Sequence, residues 1–312
     1  MKVLVTGGAG FIASHVADAY IAGGHEVVIV DDLSRGFEHN VNSRARFYCG
    51  DILDRAFLED MFEKEKPEVI NHHAAQMDVR RGVREPIFDA SVNILGSINL
   101  LELAVQHKVR RIVYISSAGA GYGEPKTLPV LEDDPINPIT PYGISKHTVE
   151  HYLFTFSFLY GLEYAVLRYG NVYGPRQSSQ GEAGVFAIFC EQMLAGVQPV
   201  MYGDGKKWRD YVYIDDVVRA NVAALDLGRG EIFNIGNGVP TTDYEVFALV
   251  RDLLGKDMEP EYTSVRAGEI EKIVLDVSKA ARILGWKPEV SMAEGAKRTV
   301  EFFVSIANVT RV

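Results

Sequence analysis

The first β-branched run of this chain, Lys2-Val3-Leu4-Val5-Thr6, leads straight into Gly7-Gly8-Ala9-Gly10-Phe11-Ile12-Ala13. A strand that ends in closely spaced glycines and reopens as a helix leaves few folds available. It opens an α/β unit whose backbone must come close to something. The alternation then repeats. Short apolar runs at 3–6, 26–30, 45–49, 69–71, 111–115 and 164–168 read as strands, and helical periodicity is clearest over 13–22, 57–65, 88–107 and 146–160. Val27-Val28-Ile29-Val30 is apolar at consecutive positions, as a parallel strand buried on both faces requires. The pattern predicts an α/β fold with a doubly wound parallel sheet.

Beyond Arg168 the rhythm changes. Turn clusters at Gly174-Pro175, Gly203-Asp204-Gly205 and Gly236-Asn237-Gly238 punctuate shorter strands. Residues 1–170 are expected to form a dinucleotide-binding domain, and 171–312 mainly a smaller α+β substrate lobe. Parts of 209–235 are candidates to return to the first sheet. No repeat or long linker separates the two, so close packing around a cleft is expected.

Composition narrows the partners. A chain of 312 residues, 47% hydrophobic, buries a substantial core, and its net charge of -10 argues against a nucleic-acid or anionic-membrane surface. A phosphate-bearing small molecule needs only a local basic pocket. Two cysteines, Cys49 and Cys190, make neither a disulfide framework nor a metal set; both are expected as buried thiols, and no metal is expected. The N-terminal apolar run is too short for a signal peptide, and no apolar stretch approaches the roughly 18 residues of a membrane span. A soluble, cytoplasmic protein is expected.

The glycine turn suits a pyrophosphate seated at the helix N-terminus. Asp31, at the end of the second strand, can accept from the adenosine ribose hydroxyls and repel a 2′-phosphate, which favours NAD over NADP. Gly50-Asp51-Ile52 and Ala74-Ala75-Gln76 fall at the same carboxyl edge, where open α/β sheets bind ligands. Two further segments carry chemistry. Ser116-Ser117-Ala118-Gly119 follows the fifth strand, and Tyr142-Gly143-Ile144-Ser145-Lys146 opens a helix. Tyr142 and Lys146 share a helical face. The ammonium and a positive nicotinamide are both expected to favour the phenolate of a group that ordinarily titrates near about 10. Tyr142 is thus a candidate general base, with the Ser117 hydroxyl sharing the substrate proton. Tyr-x-x-x-Lys alone is usually a surface pair; the Ser-Ser strand end and the glycine turn give it meaning here.

With these residues in place, the chain resembles the extended short-chain dehydrogenase/reductase family over essentially its whole length, and within it the bacterial and archaeal UDP-glucose 4-epimerases. The resemblance runs through Asp31-Asp32-Leu33-Ser34, His73-Ala74-Ala75-Gln76 and Pro141-Tyr142-Gly143-Ile144-Ser145-Lys146. It continues through Arg168-Tyr169-Gly170-Asn171-Val172-Tyr173-Gly174-Pro175-Arg176, Arg209-Asp210-Tyr211-Val212 and Arg266-Ala267-Gly268-Glu269. It implies a Rossmann fold, an NAD cofactor, a UDP-sugar substrate epimerised at C4 through a transient 4-keto sugar, and a homodimer. By the same resemblance Tyr142 is the base, Lys146 holds the nicotinamide ribose and Ser117 is the hydroxyl partner. Gly7, Gly10, Phe11, Ile12, Asp31, Asp32, Leu33, Ser34 and Gly36 would line the adenosine and pyrophosphate end of NAD. Asp51, Ile52, Ala74, Ala75, Gln76, Asn93, Ser116, Tyr169 and Val172 would complete that site. Ser117, Asn171, Val185, Arg209, Arg266 and Glu269 would contact the nucleotide sugar, with Val200 and Tyr202 beside the uracil. Ile273, seven beyond Arg266, would bound the sugar's C2 substituent. In kind, two arginines suit a diphosphate and Glu269 suits ribose hydroxyls.

Three positions depart from the family pattern. Ala13 replaces the third glycine, Gly121 stands for a branched apolar residue and is expected to loosen the loop beside Ser117, and Gly82 stands where serine is common. Related chemistries remain as alternatives. A 4,6-dehydratase or decarboxylase would carry an acid directly after Ser117, where this chain has Ala118-Gly119-Ala120. Epimerisation of a uronate or N-acetylhexosamine nucleotide would use the same catalytic residues. A non-catalytic NAD-binding module would not need Ser117, Tyr142 and Lys146 together.

Overall fold

The computed structural model describes residues 1–179, 184–265 and 269–309. Its strands, in chain order, are β1 (Lys2–Thr6), β2 (Glu26–Asp31), β3 (Arg46–Cys49), β4 (Val69–His72), β5 (Arg111–Ser117) and β6 (Glu163–Tyr169). Then follow β7 (Asn171–Tyr173), β8 (Val200–Tyr202), β9 (Trp208–Tyr213), β10 (Glu231–Ile235), β11 (Pro240–Thr242) and β12 (Glu261–Thr263). Seven strands form one sheet in the order β10-β6-β5-β4-β1-β2-β3, and every pairing within it is parallel. This is the doubly wound sheet expected. The order reverses between β1 and β4, so a crevice opens where the two strands end.

The consecutive apolar residues of the strands explain why helices cover both faces. Along β2, Val28 and Val30 enter one core with Leu4, Ile70 and Leu101, while Val27 and Ile29 enter the opposite core with Val3, Val5 and Val16. A period of two divides each strand between two layers. A third cluster joins Val113 and Leu167 of the main sheet to Phe186, Phe189, Phe247 and Phe303 from helices of the later half. The two halves therefore share apolar packing. β10 adds to the edge of the main sheet beside β6, while β11-β9-β7 and β12-β8 form small separate sheets.

Two expectations change. Cys190 is buried, but Cys49 is exposed; it ends β3, the edge strand, which has no further strand to cover it. The helical run Pro86–Gln106, 21 residues, is long and apolar enough by length and composition to cross a membrane. It belongs to the core instead: Leu100, Leu101, Leu103 and Ala104 pack against the sheet, and its Asn93 and Ser97 are buried and hydrogen-bonded. This run is interrupted by a π-helical turn, Ser91–Leu95, that holds Asn93.

Candidate active site

At the crevice, Gly7 takes φ +71°, and a Cβ there would stand 2.8 Å from the Ala74 backbone nitrogen. No side chain can occupy that space without displacing β4's extension. The following helix, Phe11–Ala22, begins at Gly10 with no capping side chain, so its first N–H groups face the turn. Asp31 is buried at the end of β2; Oδ2 accepts from Ala9 N at 3.0 Å and Oδ1 from Leu33 N at 2.8 Å. Burial raises its carboxyl, and the two backbone donors work against that rise. Gly36 closes over it, where a Cβ would meet Oδ1 at 2.8 Å. Asp32 folds back onto Ser34, whose N–H it accepts at 2.9 Å. Asp51 accepts from Leu53 N at 2.9 Å, and Ile52 is buried against Gly96.

The far side of the crevice is fixed by hydrogen bonds. Thr6 Oγ1 meets His72 Nδ1 at 2.7 Å and accepts from Ala74 N at 3.2 Å. Asn93 Oδ1 accepts from Gln76 N at 2.8 Å, and Asn93 Nδ2 donates to Gln76 O and to Ser145 Oγ, both at 3.0 Å. His73 lies at this edge beside Tyr169 with both ring nitrogens buried and without a hydrogen-bond partner. Burial, then the Lys146 charge, brings its pKa down to about 3. A glycine-shaped gap, an uncapped helix start, a buried carboxylate and an unpartnered polar ring fit a dinucleotide laid across the strand ends. His73 directly precedes the Ala74-Ala75-Gln76 turn, and only its lack of partners in the fold distinguishes it from a core histidine.

The catalytic candidates converge. The helix Pro141–Tyr160 starts at Thr140, whose Oγ1 accepts from Gly143 N at 3.2 Å, with proline in its first turn. That start delivers Tyr142 to the end of β5, near enough to Ser117 for the serine hydroxyl to favour its charged form. One turn on, Lys146 Nζ donates to Ile115 O at 2.8 Å and lies 5.0 Å from the Tyr114 ring centre. Burial pushes Tyr142 up to about 12, Asp89's charge adds to the rise, and the Ser117 hydrogen bond opposes it. Burial likewise brings Lys146 down to about 8, with Asp89 and Glu150 opposing. In the protein alone, desolvation therefore favours the protonated phenol. Ser116 does not share the face of Ser117: its hydroxyl donates to Glu150 Oε1 at 2.6 Å, leaving only its backbone toward the crevice.

Substrate candidates are spread over the later half of the chain. Asn171 opens β7, Val200 and Tyr202 bound β8, Val185 begins the helix Val185–Leu194, and Arg209 lies on β9. Glu269 is ion-paired to Lys207, a buried lysine that sequence reasoning passed over. Ile270 touches the Gly119 position, and Glu271 N donates to Glu124 Oε1 at 2.6 Å. This segment therefore reaches the short helix Ala118–Tyr122 that follows Ser117 and Glu124 just beyond it. Ile273 is buried beside Ala118, Tyr122 and Leu275. Arg266 lies outside the described residues. Tyr169 is buried, its hydroxyl accepting from Asn221 Nδ2 at 2.6 Å, and the carbonyl of Val172 accepts from Gln177 Nε2 at 2.8 Å.

The sequence profile of the NAD dependent epimerase/dehydratase family matches residues 3–236. The chain belongs to that family. Among its relatives is a putative UDP-glucose 4-epimerase of Methanocaldococcus jannaschii, 46% identical over 300 residues, covering 96% of this chain and 97% of that one. A crystal structure of UDP-glucose 4-epimerase with UDP-glucose from Thermotoga maritima superposes with a TM-score of 0.97 at 49% identity, covering 98% of this chain and 99% of that one. The Thermus thermophilus UDP-glucose 4-epimerase in complex with NAD gives a TM-score of 0.93 at 42% identity, with 97% and 99% covered. In this family member Ser117, at the end of β5, lies near Tyr142 at the start of the helix Pro141–Tyr160, with Lys146 one turn on.

Proposed function

We propose that this chain is a UDP-glucose 4-epimerase, interconverting UDP-glucose and UDP-galactose with NAD. The observation that carries the reading is that Ser117, at the end of β5, and Tyr142, at the start of the helix Pro141–Tyr160, are brought together with the buried Lys146 one turn behind, at the crevice that fits a dinucleotide. When bound, NAD supplies reversible hydride transfer, oxidising the sugar at C4 and returning the hydride to the other face. The protein's part is orientation and proton handling. Tyr142 Oη takes and returns the C4 hydroxyl proton, Ser117 Oγ holds the same oxygen, and Lys146 supplies positive charge to the phenol. Because burial holds Tyr142 up at about 12, its ionisation depends on positive charge gathered in the cleft. Asp31 and the Gly7–Gly10 turn would hold the adenosine and pyrophosphate, with Gln76 and Asn93 toward the nicotinamide. Arg209, Arg266 and Glu269 would hold the UDP. The helix start Ala118-Gly119-Ala120 offers no acid to eliminate water, which favours epimerisation over dehydration.

A homodimer is part of this reading, supported by apolar residues left exposed on helix Pro141–Tyr160 and its neighbour. So is a soluble, cytoplasmic setting, and the net charge of -10 is consistent with a small anionic substrate rather than a nucleic acid or membrane. The test is incubation with UDP-galactose and resolution of the C4 epimers. Wild type should reach an equilibrium mixture of both sugars, and Tyr142→Phe should lose at least about a hundredfold in kcat, the usual contribution of a positioned base. An unreacted wild-type sample would overturn the proposal.

A further inference from the structure

Three consecutive residues near the end of β5 are tied to the helix Pro141–Tyr160. Tyr114 Oη donates to Lys146 O at 3.3 Å, Ile115 O accepts from Lys146 Nζ at 2.8 Å, and Ser116 Oγ donates to Glu150 Oε1 at 2.6 Å. The next residue along the strand is Ser117. On the helix, Tyr142, Lys146 and Glu150 stand four residues apart and so share a face. The tie to Glu150 is anchored from a second strand as well. Arg168 of β6 donates to the same carboxylate through Nε at 3.0 Å and Nη2 at 2.6 Å, and it is the residue that pairs with Ser116 across the two strands. Glu150 is therefore a buried junction of two neighbouring strands and the helix. Burial works against its charge, but hydrogen bonds from His147, Arg168 and Ser116, with the charge of Arg168, hold it at about 2. An ionised carboxylate only accepts, so the Ser116 hydroxyl proton is committed to Glu150.

We infer that Ser116 and Glu150 are positioning residues for the reaction, their hydrogen bond setting the register of the Tyr142–Lys146 turn against the strand end that carries Ser117. The inference rests on the reading of Ser117, Tyr142 and Lys146 as catalytic. The three ties differ in what they can hold. The Tyr114 bond is the longest, and the Lys146 ammonium is the charge that serves Tyr142. The Ser116–Glu150 bond is the shortest and joins two groups that exchange no proton with the sugar, so it stays made through turnover. Reacting groups depend steeply on placement, a shift of about 1 Å costing about a hundredfold in rate. Binding of UDP and of the adenosine end of NAD rests on other residues, so loss of this tie falls on kcat rather than on KM.

The test is the turnover of UDP-galactose by NAD-loaded Ser116→Ala, expressed per NAD-bound site. This variant leaves the Arg168–Glu150 ion pair whole and removes one hydrogen bond. Its kcat should fall about tenfold while KM changes less than about threefold. Ser116→Thr, which keeps the hydroxyl, should return to within about threefold of wild type. A wild-type kcat per NAD-bound site in Ser116→Ala, even with a lowered melting temperature, would make the serine purely structural and overturn the inference. Equal losses in Ser116→Ala and Ser116→Thr, or a KM that rises as much as kcat falls, would overturn it too. Should Ser116→Ala not fold, Ser116→Cys is the second variant; failure of both to fold with NAD would make Ser116 a folding residue and also overturn it. Full activity in Tyr142→Phe would instead sink the catalytic reading itself, whatever the Ser116 variants do.

Discussion

Asp31 serves two masters. Its carboxylate oxygens already accept from Ala9 N and Leu33 N, so it shapes the glycine turn as well as facing the crevice. Loss of a charged hydrogen-bond acceptor weakens binding by about 1.5–3 kcal/mol. Asp31→Ala should therefore bind NAD at least about tenfold more weakly and use NADP relatively better. Calorimetry with each cofactor measures both; equal losses for the two would remove Asp31 from the selectivity role. Ile273 makes a second residue-scale case. It packs beside Ala118, the residue after Ser117, and its N–H donates to Trp208 O at 3.1 Å. Tyrosine there would overfill the cluster, at a stability cost of about 1–3 kcal/mol, and narrow the sugar end of the cleft. Wild type should act on UDP-glucose and UDP-galactose and more weakly on their N-acetylated counterparts. In Ile273→Tyr the ratio of N-acetyl to plain sugar turnover should fall. An unchanged ratio in a folded variant would show that Ile273 does not set the width.

Helix Pro141–Tyr160 has two kinds of surface. Val149 and Leu153 are buried toward the sheet, whereas Ile144, Phe154 and Phe158 are exposed, Phe158 by 80%. On the neighbouring run Pro86–Gln106, Ile87 is 83% exposed and Leu95 is open as well. Apolar residues grouped on two adjacent helices mark a surface that a second copy would cover. Light scattering should give a dimer for wild type, and Phe158→Lys should shift it toward monomer at micromolar concentration. A monomeric wild-type mass would dispose of the dimer. The same helix shows what periodicity conveyed. Apolar spacing is clearest from 146, and the segment from Tyr142 to Lys146 reads as the helix opening; the start at Pro141 is fixed by the Thr140 cap and the proline, one residue earlier.

One ion pair ties the molecule across its layers. Arg168 on β6 donates to Glu150 through Nε at 3.0 Å and Nη2 at 2.6 Å, and both side chains are 4% exposed. Arg168 also reaches Tyr122 OH at 2.8 Å, linking the helix Pro141–Tyr160 to the short helix Ala118–Tyr122 after Ser117. Burial alone would raise the Glu150 carboxyl, but hydrogen bonds from His147, Arg168 and Ser116, with the charge of Arg168, hold it at about 2 instead of its ordinary 4.5. A depressed carboxyl gives its full stabilisation above 4.5 and loses it as pH falls toward about 2. Acid unfolding monitored by circular dichroism should show this loss in wild type. Glu150→Gln should flatten it and cost about 3–5 kcal/mol near neutrality, because Arg168 is left buried and unpaired. The same acid slope in Glu150→Gln would mean that other carboxyls carry it.

The parallel sheet, its strand ends and the Ser117, Tyr142 and Lys146 set were legible because each rests on local order. Glycine spacing, consecutive apolar residues and a four-residue helical repeat are properties of neighbouring positions. The buried cysteine expected at 49 failed because burial of β3 depends on what lies beyond the sheet's edge. Glu150 and Lys207 carried no signal for a related reason. Each is an ordinary polar residue in the sequence, and only contacts with residues far along the chain bury it. The protonation of Tyr142 belongs to the same class. Spacing placed an ammonium four residues away, but only packing removed the water around the phenol, and desolvation is the largest cause of its rise.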